Sequence, residues 1–262
     1  MFKQTPTVVK FGIWGPRSSG KTTYLVMLRY DAPPGWEVRP FSEGGGEIFV
    51  SGRQYLREDL EFLLPTPMGV PKPLYLEMQG PGKFFGERVM RIHLPEASGE
   101  LFANPDSDEA EPIVDQLSKY HGLLWLIDPE NTATRYDSYD GPKSYLTLID
   151  EWLIKINDAQ GGGKVKMHVA FCLTKMDLFP HSKHFDRPAD YCFDLLGKDF
   201  EVILRNSCDP QRVRFFATSA IGYKGSPDEK ISNRDPNDPN KLLSPANPIN
   251  LFQPFEWLFT EI

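Results

Sequence analysis

The chain is poor in cysteine, has no long apolar run and carries no excess of basic charge. Only three cysteines occur in 262 residues, Cys172, Cys192 and Cys208. Their spacing suits no metal site, and so few thiols point to a reducing compartment. Cys172 falls inside an apolar stretch and reads as core. No apolar run approaches the ~20 residues that span a bilayer. Met1 to Pro6 lack the apolar stretch of a signal peptide, and Thr260-Glu261-Ile262 is no prenylation box. These absences predict a cytoplasmic protein with no direct membrane anchor. The net charge of −7 argues against nonspecific nucleic-acid binding, which depends on basic surface.

Proline, by contrast, is abundant, and much of it falls within residues 32–73 and 226–254. These stretches read as long irregular connections inside one domain. The expectation is a single domain over 1–262, with an enlarged connection at about 35–73 and a flexible insertion at about 222–249.

The most specific feature is Gly15-Pro16-Arg17-Ser18-Ser19-Gly20-Lys21-Thr22, which fits the P-loop pattern G-x-x-x-x-G-K-[ST]. The apolar run Val8 to Trp14 before it reads as a strand. Thr22 to Tyr30 after it reads as a helix, starting with Thr22, Thr23 and Tyr24. Glycines let such a loop turn so that successive N–H groups face a polyphosphate, and the helix N-terminus adds partial positive charge. Lys21 then reaches the terminal phosphates, and the Thr22 hydroxyl ligates Mg²⁺. A Gly/Ser-rich turn without a ligand is the plainer alternative, but it gives no reason for the strand before and the helix after.

Further along, Ser51 to Leu64 shows helical spacing, with Tyr55, Leu56, Leu60, Leu63 and Leu64 on one face and Pro65-Thr66-Pro67 as the stop. Leu74–Met78 and Arg88–Leu94 read as a hairpin. Ile113–Tyr120 and Tyr145–Ile156 read as helices, Leu123–Ile127 and Val165–Leu173 as buried strands. A helix near Asp190–Leu204, a strand Val213–Ala217 and a helix Phe252–Phe259 complete the pattern. Alternating strands and helices predict an α/β fold: a mainly parallel six-stranded sheet, helices on both faces and one antiparallel strand. Ligands of such sheets bind at the carboxyl ends of strands.

The remaining candidate residues fall at such ends. Thr174-Lys175-Met176-Asp177 follows a buried strand. An Asp there accepts two hydrogen bonds from guanine, at N1–H and the exocyclic amine, a donor pair that adenine lacks. The Lys175 stem lies along the base. Ser219, Ala220 and Ile221 follow the next strand, where backbone N–H groups meet the guanine O6. After the hairpin comes Glu96-Ala97-Ser98-Gly99-Glu100, where a carboxylate holds Mg²⁺ through water and the Gly99 N–H meets a γ-phosphate. Thr66, just before the hairpin, offers a second hydroxyl to the metal. His93 and His121 have no Asp/Ser partner at useful spacing and read as structural, and Asp128-Pro129, at the end of the central strand, reads as a turn sooner than as a residue that caps or faces the site.

The order P-loop, Thr66, Glu96-x-x-Gly99, Thr174-Lys175-x-Asp177, Ser219-Ala220 resembles the Ras-like P-loop GTPases over nearly the whole chain. The extra segment Ser51–Leu64 with Pro65-Thr66-Pro67 is similar, more weakly, to bacterial double-GTPase type proteins. The resemblance implies a GTP/GDP switch with Mg²⁺, slow hydrolysis, and a protein effector or regulator that reads the switch regions. Four positions depart from the family pattern. Thr174 replaces the usual Asn, as in Rho-type members. Glu96 replaces Asp, Glu100 replaces the water-orienting Gln, and Arg17 stands where Ras-type members keep Gly. A P-loop ATPase or kinase, and a degenerate module that binds nucleotide without hydrolysis, remain as rival expectations.

Overall fold

A computed structural model of the protein describes residues 7–41, 45–63, 74–80, 88–94, 99–133, 135, 136, 138, 141–179, 185–225 and 230–262. The chain enters on β1 (Thr7–Trp14), turns through the P-loop and continues as α1 (Lys21–Asp31). A short strand β2 (Glu37–Pro40) precedes α2 (Gly45–Arg53), which runs into a π-helical turn, Gln54–Asp59. Strands β3 (Leu74–Gln79) and β4 (Arg88–Leu94) pair antiparallel, as the hairpin reading expected. Then come α3 (Gly99–Ala103), α4 (Glu111–Ser118), β5 (Gly122–Ile127), a small ribbon of β6 (Arg135–Tyr136) and β7 (Lys143–Ser144), and α5 (Tyr145–Ala159). Strand β8 (His168–Leu173), helices α6 (Pro188–Leu196) and α7 (Lys198–Ser207), strand β9 (Val213–Ala217), a second ribbon of β10 (Tyr223–Lys224) and β11 (Ile231–Ser232), and α8 (Gln253–Glu261) end the described chain.

The main sheet has the order β2-β3-β4-β1-β5-β8-β9. Strands β4, β1, β5, β8 and β9 are paired in parallel, and β3 pairs antiparallel with both β4 and β2. Only β3 therefore runs against the others. This is the α/β P-loop NTPase fold that the sequence predicts, with seven strands in place of the expected six. The additional strand is β2. It lies at the sheet edge, and three of its four residues are exposed, so it leaves no apolar alternation to read.

Alternation along the central strands divides the core. Leu123, Trp125 and Ile127 of β5, with Val169, Phe171 and Leu173 of β8, join one cluster with α4 and α5. Leu124, Leu126, Ala170 and Cys172 point the other way, into a cluster with α1, α2 and α8. Such strands, covered on both faces, read as continuous apolar runs. Helix α5 starts on Ser144, whose hydroxyl accepts from the Thr147 N–H at 3.1 Å. It buries Tyr145, Leu148, Ile149, Trp152, Leu153 and Ile156 on one stripe. Trp152 meets Trp14 edge-on at 4.5 Å, fixing the last residue of β1 just before the P-loop.

Two helical expectations are corrected. The reading of one helix over Ser51–Leu64 gives way to α2 and the π-turn, which stop at Asp59, with Leu60 left-handed at φ 58°. Leu60 O accepts from Leu242 N–H at 2.7 Å, a contact from the far end of the chain, so Pro65 is not the terminator. The single helix over Asp190–Leu204 is split at Gly197, whose φ of 80° breaks the helical path between α6 and α7. Residues 230–249, inside the segment read as a flexible insertion, are bound to the fold. Ala246 N–H donates to Leu56 O, Phe62 N–H to Asn240 O, and buried Asn233 Nδ2 to Ile221 O. Among the described residues no helix is long and apolar enough to cross a membrane.

Candidate functional site

The parallel register brings four strand ends side by side. Trp14 pairs with Trp125, Ile127 with Leu173, and Leu173 with Ala217. The P-loop, Asp128, Thr174–Asp177 and Thr218–Ile221 therefore leave the sheet at one edge. Two threonines seal the joints. Thr174 bonds Ile127 O through its N–H (2.8 Å) and its hydroxyl (3.2 Å), and Thr218 does the same to Leu173 O (2.8 and 2.9 Å).

In the P-loop, Gly15 is extended to φ 150° and Gly20 is left-handed at φ 86°. A Cβ on Gly15 would come within 2.8 Å of Leu126 O, so a larger residue collides with β5. A Cβ on Gly20 would meet nothing within 4 Å, so the loop is open there. Ser18 is exposed and left-handed at φ 64°, Arg17 is exposed at the rim, and Ser19 is fully buried. Ser19 Oγ has no hydrogen-bond partner among the described residues. Lys21 Nζ donates to the loop's own carbonyls, Gly15 O at 2.7 Å and Pro16 O at 2.6 Å. Burial pulls the Lys21 ammonium down to a pKa of about 7. Thr22 and Thr23 lie in the first turn of α1, which holds no acidic residue to repel an anion.

The base-reading candidates also converge, though differently from expectation. Lys175 is left-handed at φ 56°, and its ammonium lies 2.5 Å from buried Asp128 Oδ2 and 3.7 Å from Glu130. Asp177 is fully buried. Its Oδ1 accepts from Ser219 Oγ at 2.6 Å, its Oδ2 from Ser232 Oγ at 3.0 Å, and Arg234 Nε stands 3.8 Å from Oδ2. The Ser219 N–H donates to Ile249 O at 3.0 Å, which removes it as a donor to a base and leaves Ala220 and Ile221 as the backbone candidates. Gly99 and Glu100 open α3. Thr66 and Glu96 lie outside the described residues.

Asp128 contacts Lys175, and Ser232 and Arg234 stand against Asp177, three neighbours that the sequence reading did not name among its site candidates. Asp128 had a visible signal, since it follows an apolar strand just as Thr174 does. Ser232 and Arg234 had none in their polar surroundings. His93 and His121 are both bonded to the fold, the first inside it and the second at its surface. His93 is buried on Tyr120, bonded to Gln116 at 2.9 Å and stacked 4.2 Å from Tyr75, and burial lowers its pKa to about 4. His121 Nδ1 accepts from the Lys10 N–H at 3.1 Å.

The donor set fits a polyphosphate with Mg²⁺. A buried unpaired hydroxyl, an open glycine turn and a folded-back ammonium stand at one helix N-terminus. No group of three His, Cys, Asp or Glu side chains able to hold a metal occurs among the described residues. Mg²⁺ does not need one, because it keeps several waters and binds through few protein oxygens plus phosphates. Thr22 is the described residue that would hold it.

No protein-family model and no curated protein sequence matches this chain. Among solved structures it is similar to the GTPase-like domain of S. cerevisiae Ski7 bound to GTP, at 16% identity and a TM-score of 0.48. That match covers 82% of this chain and 43% of the other, so the chain spans less than half the length of the Ski7 structure. It is also similar to the Arl6 BBS3 small GTPase of Trypanosoma brucei with bound GppNp, at 10% identity, TM-score 0.41 and 97% of each chain. A third is the ADP-ribosylation-factor-like or Sar1 GTPase of Encephalitozoon cuniculi with GDP, at 13% identity, TM-score 0.42, over 99% of this chain and 82% of that one. These likenesses are remote, and the fold stands on the strand order, the register and the P-loop geometry.

Proposed function

We propose that the protein is a guanine-nucleotide-binding switch that uses Mg²⁺ and hydrolyses GTP slowly. One observation carries the reading. Lys21, the orphaned Ser19 hydroxyl and the open turn at Gly20 sit together where β1 hands over to α1. Backbone N–H groups from Gly15 to Thr23, Pro16 excepted, would cradle the phosphates, and Lys21 would exchange its two carbonyl acceptors for phosphate oxygens. Thr22, with Thr66 and Glu96, would hold the metal, whose part is to neutralise charge developing on the phosphates. Gly99 would meet the γ-phosphate through its N–H, and Glu100 would stand next to the attacking water. Thr174, Lys175, Asp177, Ala220 and Ile221 would form the base site. Residues about 35–73 and those after Gly99 would change with the γ-phosphate and so offer a regulator or effector its surface. The reading places the protein in the cytoplasm.

The enclosure of Asp177 by Ser219 and Ser232 favours a second reading, a P-loop module that binds phosphates without selecting guanine. The test is direct. Purified protein is denatured, released nucleotide is identified by chromatography, and turnover of GTP and ATP is then measured with Mg²⁺. Guanine nucleotide with slow GTP turnover is the expected result. Equal retention and turnover of ATP would replace the proposal with the second reading.

A further inference from the structure

The chain's own side chains enclose the carboxylate assigned to the base. Asp177 has no exposed surface, and both of its oxygens are approached from within the protein. On Oδ1 stands Ser219, whose Oγ also accepts the Gly222 N–H at 2.9 Å and so belongs to the strand-end turn. The Oδ2 side is different. Its neighbours come from 55 residues further along, from Ser232 at the end of β11 and from Arg234 just beyond it. Arg234 is poorly satisfied there. Its buried Nε has no hydrogen-bond partner, while its guanidinium reaches towards Glu130 at 3.8 Å and lies 5.6 Å from the Phe62 ring. A donor held close to a carboxylate without bonding it costs free energy, which a better-placed donor would recover.

We infer that Ser232 and Arg234 are an internal stopper on the base site, and that a guanine edge must displace them to reach Asp177. The inference rests on the guanine reading above and adds a regulatory element to it. Guanine's N1–H and amine require both carboxylate oxygens, and the stopper stands on Oδ2, so the two compete there. Apparent affinity is then the intrinsic affinity multiplied by the fraction of molecules in which the stopper is open.

Displacement has a defined route outward. Residues 233–246 are tied to the segment that leads towards Thr66. Leu242 N–H donates to Leu60 O at 2.7 Å, Ala246 N–H to Leu56 O at 2.9 Å, and Phe62 N–H to Asn240 O at 2.9 Å. Arg57 adds a bond to Ala246 O at 3.3 Å. Moving Ser232 and Arg234 off Asp177 pulls on this seam, so base binding loosens the 56–62 segment. The base site and the segment before Thr66 form one coupled unit.

The experiment follows association of fluorescently labelled GDP with the full chain by stopped flow, with tripolyphosphate as a probe that engages the P-loop alone. Ser232→Ala and Arg234→Ala, checked for folding by thermal melting, should each raise the GDP association rate about tenfold and leave tripolyphosphate affinity unchanged. A GDP rate equal to or below that of the wild type would overturn the stopper. Binding of tripolyphosphate by all proteins, with GDP bound no better than ADP by any, would instead overturn the guanine reading beneath it. Hydrogen exchange on the wild type tests the seam without mutation. GDP should lower protection of the Leu242 and Ala246 amides and tripolyphosphate should not. Unchanged protection with bound GDP would overturn the coupling.

Discussion

The Lys175 ammonium lies 2.5 Å from Asp128 Oδ2 and ties the end of β8 to the end of β5. The two partners are unequal. Asp128 is 1% exposed at the side chain and Lys175 21%. Asp128 also accepts from Asn131 Nδ2 at 2.6 Å and from the Glu130 N–H at 3.1 Å, so it is the hub. Removing Lys175 leaves a buried carboxylate with neutral donors only. Removing Asp128 leaves an ammonium with access to water and to Glu130. Lys175→Ala should therefore cost about 1–3 kcal/mol in urea unfolding, and more than Asp128→Ala. The reverse order would mean that the pair does not hold the strand ends.

On the proposed reading Lys21 would control both affinity and its pH dependence. Lys21→Ala should weaken GDP and GTP binding at least about tenfold, or ~1.4 kcal/mol, by equilibrium titration. Burial depresses the ammonium pKa to about 7 in this structure, and a polyphosphate alongside favours the charged form and raises it. Below about pH 7 the proton is present before and after binding, so this group adds no slope. Above it, binding must take up a proton, and affinity should fall by up to about tenfold per pH unit until the bound pKa is reached. Lys21→Ala should lack that slope between about pH 7.5 and 9. A slope shared by mutant and wild type would assign it to another group.

The P-loop and the central strands were legible because local chemistry decides them. A glycine turn between a strand and a helix has a fixed pattern, and β5 throughout and β8 after His168 are apolar because both faces are covered. The edge strand β2 was not legible, since Val38 is its one aliphatic residue and no alternation marks it. The end of the π-turn was hidden for another reason. Its helical spacing continues past Asp59, and the stop comes from Leu242, about 180 residues away, which bonds Leu60 O. The same holds for the proposed base site, where Thr174 and Asp177 could be read locally but Ser232 and Arg234 arrive only through tertiary packing.

Asp177 offers a test of base selection with a built-in control. Asp177→Asn should weaken GTP and favour xanthosine triphosphate, whose ring presents a carbonyl where guanine has its amine. The control is structural. Ser219 and Ser232 both donate to the carboxylate, and their hydroxyls can turn to accept from an Asn amide, so the Asn variant should melt close to the wild type. Asp177→Ala removes the shared acceptor and should cost about 1–3 kcal/mol. ATP competing as well as GTP against labelled GDP on the wild type would end the guanine assignment.

The proposed slow turnover is tested at two residues that depart from the Ras-like pattern. Hydrolysis needs a group that orients the attacking water and a positive charge that stabilises the transition state. Glu100, at the start of α3, is anionic where a neutral amide is usual. Beside a triphosphate its carboxylate is repelled unless Mg²⁺ or an arginine offsets the charge. Arg17 is exposed on the loop; on the proposed reading it would crowd the mouth of the site and obstruct an arginine supplied by a partner, and the alternative is an arginine finger in cis. Intrinsic turnover should then stay below about 1 per minute, in the range of unassisted G domains. Glu100→Gln should raise the rate or leave it unchanged, because it restores a neutral amide without removing any positive charge. Arg17→Gly should not abolish turnover. Single-turnover phosphate release, with nucleotide affinity measured in parallel, decides the matter. A large loss of rate in either variant at unchanged affinity would make Glu100 or Arg17 part of the catalytic apparatus and would replace the slow-switch reading with that of a self-sufficient hydrolase.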